Sequence, residues 1–314
     1  MPGLPAISIA ITLYNKGDFI VEAIETVLAQ TFHDFEIVIV DDGSTDDGPA
    51  KVGRFADRRI NLVSQSNAGV SVARTRAMRE ARGKFVAFLD ADDIWRPDHL
   101  LHLAELIRRF PDAALFGNDY VEGASGGDKA AFGRDVQCRI VDDYFLECAG
   151  GRSPLYTSSC MVPRERALAL GGFPVGKVCG EDLALWIRLA AIGQVAVSNY
   201  VGCIYRRGID SLSWQASYRN APDVSMATLT DLLGQHGEWP DRRKQSAREY
   251  LFRLALAHGL DALRAGDVDQ ARNYLGIAAG TRLLRSRLWQ ARLLALMPRH
   301  PRQAFFGLAD KRRV

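Results

Sequence analysis

The stretch that most constrains the fold of this chain is Phe85–Leu89 (FVAFL), because Asp90, Asp92 and Asp93 follow it at once. An apolar run with β-branched and aromatic members is typical of a buried strand. Carboxylates this close together repel one another unless a bound cation neutralises them or water reaches them freely. A hard divalent cation takes oxygen ligands, and its remaining positions would suit a diphosphate. The residues leave a second interpretation open, a solvated turn before a helix with Asp93 as the N-cap and Pro97 in the first turn.

Three earlier segments show the same order of a strand followed by polar residues. Buried parallel strands are predicted at residues 7–13 (ISIAITL), 35–40 (FEIVIV) and 60–63 (INLV), with helices at residues 20–28, 50–55 and 67–81. The first strand ends at Tyr14 and Asn15, the second at Asp41 and Asp42, and the third leads to Asn67. In open parallel sheets, ligands lie outside the carboxyl ends of the strands. We therefore expect an α/β fold in which these side chains face one crevice.

The helix that begins near Asn67 brings positive charge to this crevice. Its free backbone N–H groups favour an anion, and arginines lie along it. Arg74 and Arg76 are about 200° apart on a helix, so only one of them can point into the crevice. We favour Arg74, because it shares a face with Val70 and Met78. The other arginines are interpreted as a solvated surface.

The second half of the chain has weaker patterns. Strands are predicted at residues 114–116, 160–162 and 195–204, and a glycine-rich loop at residues 123–133. A helix is predicted from Gly180 to Leu189, with Glu181 and Asp182 in its first turn. These acids either complement the helix dipole or provide a carboxylate on a rigid element that acts as a general base.

Charge and cysteine usage limit the partners and the compartment. The net charge is only +3, so no nucleic-acid partner is implied. The five cysteines include no CxxC pair, which suits reduced thiols in a cytosol. Residues 1–5 have no secretory signal pattern, and no run approaches the ~20 apolar residues of a spanning helix. We expect a cytoplasmic protein.

Residues 221–314 are predicted to form a basic helical region, after a first domain of residues 1–220. Residues 262–278 resemble a tetratricopeptide-type hairpin, and a single hairpin needs a partner, so we expect it to pack on the first domain. The last predicted helix, residues 282–297, mixes arginines with leucines and Trp289. It predicts peripheral contact with an anionic membrane on the cytoplasmic face. A helix that caps the domain or forms a homodimer is the alternative.

Five ordered motifs resemble the bacterial family-2 glycosyltransferases. They are ITLYN at residue 11, VDDGSTD at 40, NAGVSVAR at 67, FLDADD at 88 and GEDLALWIRLA at 180. The resemblance covers residues 7–213. It implies the GT-A fold, a Rossmann-like and mostly parallel sheet between helices. It also implies inverting transfer from a nucleotide-diphosphate sugar, often a UDP-sugar, with Mn²⁺ or Mg²⁺.

The resemblance also implies roles for single residues. Thr12, Tyr14 and Asn15 would line the nucleotide pocket, with Asp42 and Asp41 at the base, Asn67 and Arg74 at the ribose and diphosphate, Asp90 and Ala91 at the ribose, Asp92 at the metal, and Asp182 with Glu181 as the catalytic base pair. This sequence lacks a histidine that the family often carries near residue 208. Arg206, Arg207 and Trp186 are therefore candidates for diphosphate or acceptor contacts.

The main functional hypothesis is a metal-dependent hexosyltransferase-type enzyme. It would act on a glycan or glycolipid acceptor in surface polysaccharide synthesis. One alternative is a catalytically silent nucleotide-sugar-binding scaffold, and another is a sugar nucleotidyltransferase. A dinucleotide-binding Rossmann domain is disfavoured, because no G-x-G-x-x-G follows the first strand.

Overall fold

The computed structural model describes residues 4–123, 135–151, 153–176, 179–206, 223–235, 239–298, 301 and 305–306. The chain divides into two compact units, one within Met1–Asp142 and Ser153–Ser225 and the other within Asp143–Arg152 and Met226–Val314. The expected boundary at residue 220 lies outside the described residues. A short segment from the middle of the chain therefore belongs with the C-terminal helices, which the sequence patterns do not indicate.

The first unit is built on one large sheet. Its strands are β1 (Ile7–Leu13), β2 (Phe35–Asp41), β3 (Ile60–Ser64), β4 (Phe85–Asp90), β5 (Ile94–Trp95), β6 (Leu115–Glu122), β7 (Cys138–Ile140), β8 (Cys160–Pro163) and β9 (Val195–Tyr205). The order is β3-β2-β1-β4-β8-β6-β9-β5, and β7 pairs with β9. Strands β1 to β4 are parallel, as predicted. The antiparallel pairings of β8 with β4 and β6 were not predicted.

Helices cover both faces of this sheet. They are α1 (Ile20–Leu28), α2 (Gly48–Val52), α3 (Val70–Glu80), α4 (His99–Arg109), α6 (Arg164–Ala169) and α7 (Glu181–Ile192), while α5 (Tyr144–Gly150) belongs to the second unit. Alternate residues of β1, such as Ile9 and Ile11, pack with α1, α2 and α4. On the other face Phe88 of β4 contacts Phe173 and Trp186 edge-on or tilted. The predicted α/β fold is confirmed.

The register of the parallel strands places their polar ends side by side. Leu13 of β1 lies beside Asp41 of β2, and Thr12 lies beside Asp90 of β4. Asp41 in turn lies beside Ser64 of β3. The three strand ends that carry acids or amides therefore meet at one edge of the sheet, as the sequence predicts.

The second unit is helical. It contains most of α8 (Val224–Gln235), with α9 (Asp241–Ala265), α10 (Val268–Ile277) and α11 (Arg285–Leu296). Gly266 ends α9 with φ of +90°, a conformation that glycine adopts easily. Asp267 then caps α10 by accepting a hydrogen bond from the backbone N–H of Gln270. In the part of the chain that the structure describes, no helix has both the length and the hydropathy of a membrane span.

Candidate active site

The loop after β1 is fixed to the loop after β2. Asn15 has a φ of 50°, a left-handed conformation that asparagine tolerates better than most residues. Its Oδ1 atom accepts a hydrogen bond from the backbone N–H of Thr45 at 2.8 Å. Its own N–H donates to Oγ of Ser44, and the N–H of Ser44 donates to Oδ1 of Asp41. Asn15 and Asp41 therefore shape the crevice wall, and a contact with a nucleotide remains a prediction for both.

Asp42 is buried and holds the segment that leads into α3. Its carboxylate accepts hydrogen bonds from the backbone N–H groups of Ala68 and Gly69 at 2.9 and 2.8 Å, and from Nε2 of Gln65 at 2.7 Å. Gly43 makes this approach feasible, because a Cβ atom there would lie 2.8 Å from the backbone nitrogen of Asn67. Asn67 itself is exposed at this edge. A hydrogen bond from a nucleobase to Asp42 remains a prediction, and it would add to these three.

Arg74 joins two of the predicted acids. One guanidinium nitrogen lies 2.7 Å from Oδ1 of Asp90 and another lies 3.0 Å from Oε1 of Glu181. Burial alone would lower the pKa of the guanidinium, but the nearby carboxylates of Asp90, Glu181 and Asp182 raise it, so Arg74 stays charged. Arg76 instead pairs with Glu80 on the same helix. Of the two arginines, Arg74 is the one that reaches the acids of the crevice.

Asp182 lies in the first turn of α7 and is held by both of its oxygens. Oδ1 accepts from the backbone N–H of Leu183, and Oδ2 accepts from Oγ1 of Thr157 at 2.7 Å. Thr157 belongs to a short 3₁₀ turn, Thr157–Ser159. In the same turn, the hydroxyl of Ser158 accepts from the backbone N–H of Asp90 at 3.0 Å. One turn therefore links the candidate base to the acids at the end of β4.

Asp93 has a structural role in place of the predicted N-cap. It accepts hydrogen bonds from Oγ of Ser158 at 2.5 Å and from the backbone N–H of Arg206 at 3.1 Å. Burial, with the negative charge of Asp90 and Asp92 nearby, raises its pKa. The helix begins only at His99, with Asp98 as its N-cap, because β5 intervenes. The interpretation of Asp93 as an N-cap is therefore wrong.

Asp92, the predicted metal ligand, contacts a lysine that the motifs did not single out. Nζ of Lys16 lies 2.8 Å from Oδ2 of Asp92, and each side chain is 19% exposed. A partly exposed carboxylate at the end of a strand is the donor that a hard divalent cation requires, so Asp92 fits a metal ligand. The ammonium group already meets that carboxylate, and a bound cation would compete with it.

The remaining predicted residues differ in how far they reach the crevice. Trp186 is fully buried between Phe88 and Phe173, so its expected contact with diphosphate or acceptor is corrected to a core position. The methyl group of Ala91 packs in the core, which leaves only its backbone for a ligand. Tyr14 is exposed, Thr12 is half-buried, and Arg206 pairs with Glu22. Arg207 lies outside the described residues.

Sequence reasoning missed Lys16, Thr157 and Ser158. Lys16 directly follows the ITLYN motif, and this adjacency was the available signal. Thr157 and Ser158 lie in a polar segment without a motif, and their role depends on the antiparallel pairing of β8 with β4. Together these residues hold the acids in a fixed pattern. The cationic side chains of such a site can bind an anion, and its carboxylates can accept a proton from a hydroxyl.

Comparison of the sequence with known proteins identifies glycosyltransferases. Residues 8–147 match the sequence profile of the family described as glycosyl transferase family 2. The putative teichuronic acid biosynthesis glycosyltransferase TuaG of Bacillus subtilis is 39% identical over 221 residues, which cover 68% of this chain and 84% of TuaG. Two matching glycosyltransferases from Rickettsia are longer, and the chain spans about a third (31%) of their length.

Comparison of the structure with solved structures shows a shared fold. TarS of S. aureus, residues 1–349, in complex with UDP-GlcNAc has a TM-score of 0.67 at 16% identity, over 96% of this chain and 92% of that one. The mannosyltransferase PcManGT of Pyrobaculum calidifontis, in complex with GDP-Man and Mn²⁺, has a TM-score of 0.63 at 20% identity, over 97% and 84% of the two chains. At these identities the likeness concerns the fold alone.

Proposed function

The chain belongs to glycosyl transferase family 2, and from that premise we propose that it is an inverting, metal-dependent glycosyltransferase. The donor is a nucleotide-diphosphate sugar and the acceptor is a hydroxyl of a glycan or glycolipid. The observation that supports this most is the double ion pair of Arg74 with Asp90 and Glu181. It holds the acid expected at the donor and the acid beside the candidate base within the width of one guanidinium group.

The candidate base is Asp182. A sugar hydroxyl has too high a pKa to attack unaided, so a carboxylate must take its proton as the new bond forms. Asp182 is suited to this because Thr157 and the N–H of Leu183 fix its orientation at the start of α7. The bond to the anomeric carbon forms as the bond to the diphosphate breaks, the proton passes to Asp182, and the nucleoside diphosphate leaves. A single displacement of this kind inverts the anomeric centre.

The departing diphosphate needs positive charge. Asp92 would hold Mn²⁺ or Mg²⁺, which neutralises charge on the diphosphate when bound. Lys16 lies beside Asp92 and is therefore close enough to approach the same phosphates once a cation takes its place on the carboxylate. The backbone N–H of Arg206 is bonded to Asp93, and its guanidinium, which pairs with Glu22, would provide a second cation near this edge if it left that partner.

The identity of the donor and of the product is proposed from the relatives. TarS is described in complex with UDP-GlcNAc and PcManGT in complex with GDP-Man and Mn²⁺. TuaG is described as a putative glycosyltransferase of teichuronic acid biosynthesis. We favour a UDP-sugar and an acceptor that belongs to a surface polysaccharide. The protein would work in the cytoplasm, where nucleotide sugars are made.

The test is release of the nucleoside diphosphate from a panel of nucleotide sugars with Mn²⁺, with and without an acceptor. Asp182→Asn should lower the transfer rate by about 10³-fold, since the proton acceptor is lost while the shape is kept. Glu165→Gln is the matched control, because Glu165 also lies in the first turn of a helix. It should leave the rate unchanged.

Three results would contradict the proposal. Full transfer activity in Asp182→Asn would exclude this residue as the base. Binding of the donor without turnover under any acceptor would favour the silent scaffold. Release of pyrophosphate in place of a nucleoside diphosphate would favour a nucleotidyltransferase.

A further inference from the structure

The second unit exposes an unusual amount of apolar surface. Among the described residues, seven of the fourteen large hydrophobic side chains that are exposed lie between Ile277 and Phe305. Three of them are on one helix, where Trp289 is 65% exposed, Leu293 is 55% exposed and Leu296 is 77% exposed. Single exposed apolar residues are normal on a protein surface, but a contiguous group marks a site of interaction.

These three side chains form one face of α11. At 100° per residue they fall within about 60° of one another around the helix axis. Leu288, Ala291 and Leu294 occupy the opposite side and are buried in the second unit. The helix is therefore apolar on two faces, and within the described part of the second unit only the face of Leu288, Ala291 and Leu294 is buried. We call the exposed one the α11 outer face, comprising Arg285, Trp289, Arg292, Leu293 and Leu296.

The surroundings of this face are mostly positive, although Arg272 pairs with the exposed Asp269. From Gln270 to Pro298 the sequence has five arginines and neither an aspartate nor a glutamate. Arg285 and Arg292 border the apolar side chains on the helix, and both are exposed. A shallow groove of about 250 Å³ adjoins it, lined by Leu275, Ala295 and Leu296 together with Arg272 and Arg292. Large apolar side chains bordered by guanidinium groups match the chemistry of an anionic lipid surface.

We propose that the α11 outer face binds the surface of an anionic lipid bilayer. Trp289, Leu293 and Leu296 enter the region between headgroups and acyl chains, while Arg285 and Arg292 contact the lipid phosphates. A second copy of the chain is a poorer occupant, because it would bring the same arginines face to face without an acid to pair with them. The inference does not depend on the proposed transferase activity, since it concerns binding alone.

The experiment is sedimentation of the full-length protein with vesicles. One set is phosphatidylcholine alone and the other contains phosphatidylglycerol as well. Binding should be at least about tenfold stronger to the anionic vesicles, because each arginine near such a surface contributes about fivefold. Arg285→Glu with Arg292→Glu should abolish that preference. Arg54→Glu with Arg79→Glu, which changes exposed arginines of the first unit by the same charge, should retain it.

The apolar half of the proposal has its own readout. Of the tryptophans that the structure describes, Trp95, Trp186 and Trp239 are buried and Trp289 is exposed. Brominated acyl chains in the anionic vesicles should therefore quench the Trp289 emission. Trp289→Phe should bind and lose the quenching, while Trp289→Ala with Leu293→Ala should bind about tenfold more weakly. Leu101→Ala, at an exposed leucine of α4, should bind like the original protein.

Three outcomes would overturn the proposal. Equal binding to both kinds of vesicle, or binding that the Trp289 and Leu293 substitutions do not change, would show that this face does not contact lipid. A dimer that forms without lipid and dissociates in Trp289→Ala would assign the face to a second copy. Transferase assays on the same variants with a soluble acceptor keep this result separate from the proposed activity.

Discussion

The crevice at the ends of β1, β2 and β4 and the outer face of α11 treat charge in opposite ways. In the crevice, the side chain of Arg74 is 7% exposed and contacts two carboxylates, while Asp42 accepts three hydrogen bonds from the segment that leads into α3. On α11, Arg285 and Arg292 are exposed, and no described residue forms an ion pair with them. The fold itself compensates the first set of charges, while the second set faces outward.

The difference separates charges that hold the structure from charges that are available to a partner. Removing one member of a buried ion pair leaves the other charge uncompensated, which costs several kcal/mol of stability. An exposed ion contributes about 0–1 kcal/mol to stability. Substitutions in the crevice should therefore change folding and activity together, whereas substitutions on α11 should change binding alone.

The largest expected effect on stability follows from removing Arg74. Arg74→Met leaves the buried Glu181 and the partly exposed Asp90 close together without a cation, and it should lower the free energy of unfolding by about 3–5 kcal/mol. Urea denaturation measures this. Arg76→Met on the same helix and Arg285→Met on α11 should each cost less than about 1 kcal/mol. An Arg74→Met protein within that smaller range would remove the distinction between the two regions.

The second-largest effect is a loss of stability at acid pH, and it arises from His99 in the first unit. His99 is fully buried against Trp95, with ring centroids 4.4 Å apart, and Asn118 Nδ2 lies 3.2 Å from its Nδ1. Burial, with a smaller contribution from His102, lowers the pKa of His99 to about 3. The folded protein therefore holds this ring neutral, while the unfolded chain takes up a proton below about pH 6.5.

Because the pKa of His99 is lower in the folded state, the stability that His99 contributes is full above pH 6.5 and is lost as the pH falls toward 3. The raised pKa of Asp93 acts in the opposite sense, so the contribution of His99 is the difference between the original protein and His99→Phe. The expected slope is up to about 1.4 kcal/mol per pH unit, or about 2 kcal/mol between pH 6.5 and pH 5. His99→Phe should remove that slope in urea titrations across this range, and His33→Gln should keep it. The arginines of α11 do not titrate here, so an unchanged slope in His99→Phe would mean that another buried group is responsible.

The smallest of the three effects concerns Lys16, which is intermediate between buried and exposed. Its ion pair with Asp92, 19% exposed on each side, is worth about 1 kcal/mol. Lys16→Met should therefore lower the Mn²⁺ concentration for half-saturation about fivefold, as measured by calorimetry on the protein without donor. Lys51→Met is the control, because Lys51 pairs with Asp47 and not with Asp92. Unchanged or weaker Mn²⁺ affinity in Lys16→Met would show that the lysine does not compete for Asp92.

The sequence predicted the parallel half of the sheet well, because each of its strands is an apolar run followed by acids or amides. Ile7–Leu13 matches the predicted strand, and Phe35–Asp41 and Ile60–Ser64 each exceed it by one residue. The second half of the sheet was harder to predict from the sequence. The role of Ser158 depends on a strand pairing 68 residues distant from Asp90 in sequence, and periodicity carries no information about such a contact.

The burial of Trp186 and of Asp93 also could not be foreseen. A tryptophan on a helix next to two acids fits a binding contact or a core position equally well until the helix is placed on the sheet. Its helix packs against β4, where Trp186 contacts Phe88, and this contact places the tryptophan in the core. An N-cap at Asp93 was one of two open interpretations, because the strand Ile94–Trp95 is too short to give a periodic signal.

The turn Thr157–Ser159 has a consequence for how such chains can vary. Two adjacent residues of this turn form hydrogen bonds with Asp182, Asp93 and the backbone of Asp90. The Nε1–H of Trp95 donates a further hydrogen bond to the carbonyl of Ser158. A single inserted residue here would displace Asp182 and the acids at the end of β4 together. Natural variants should therefore keep the length of the chain constant at this junction.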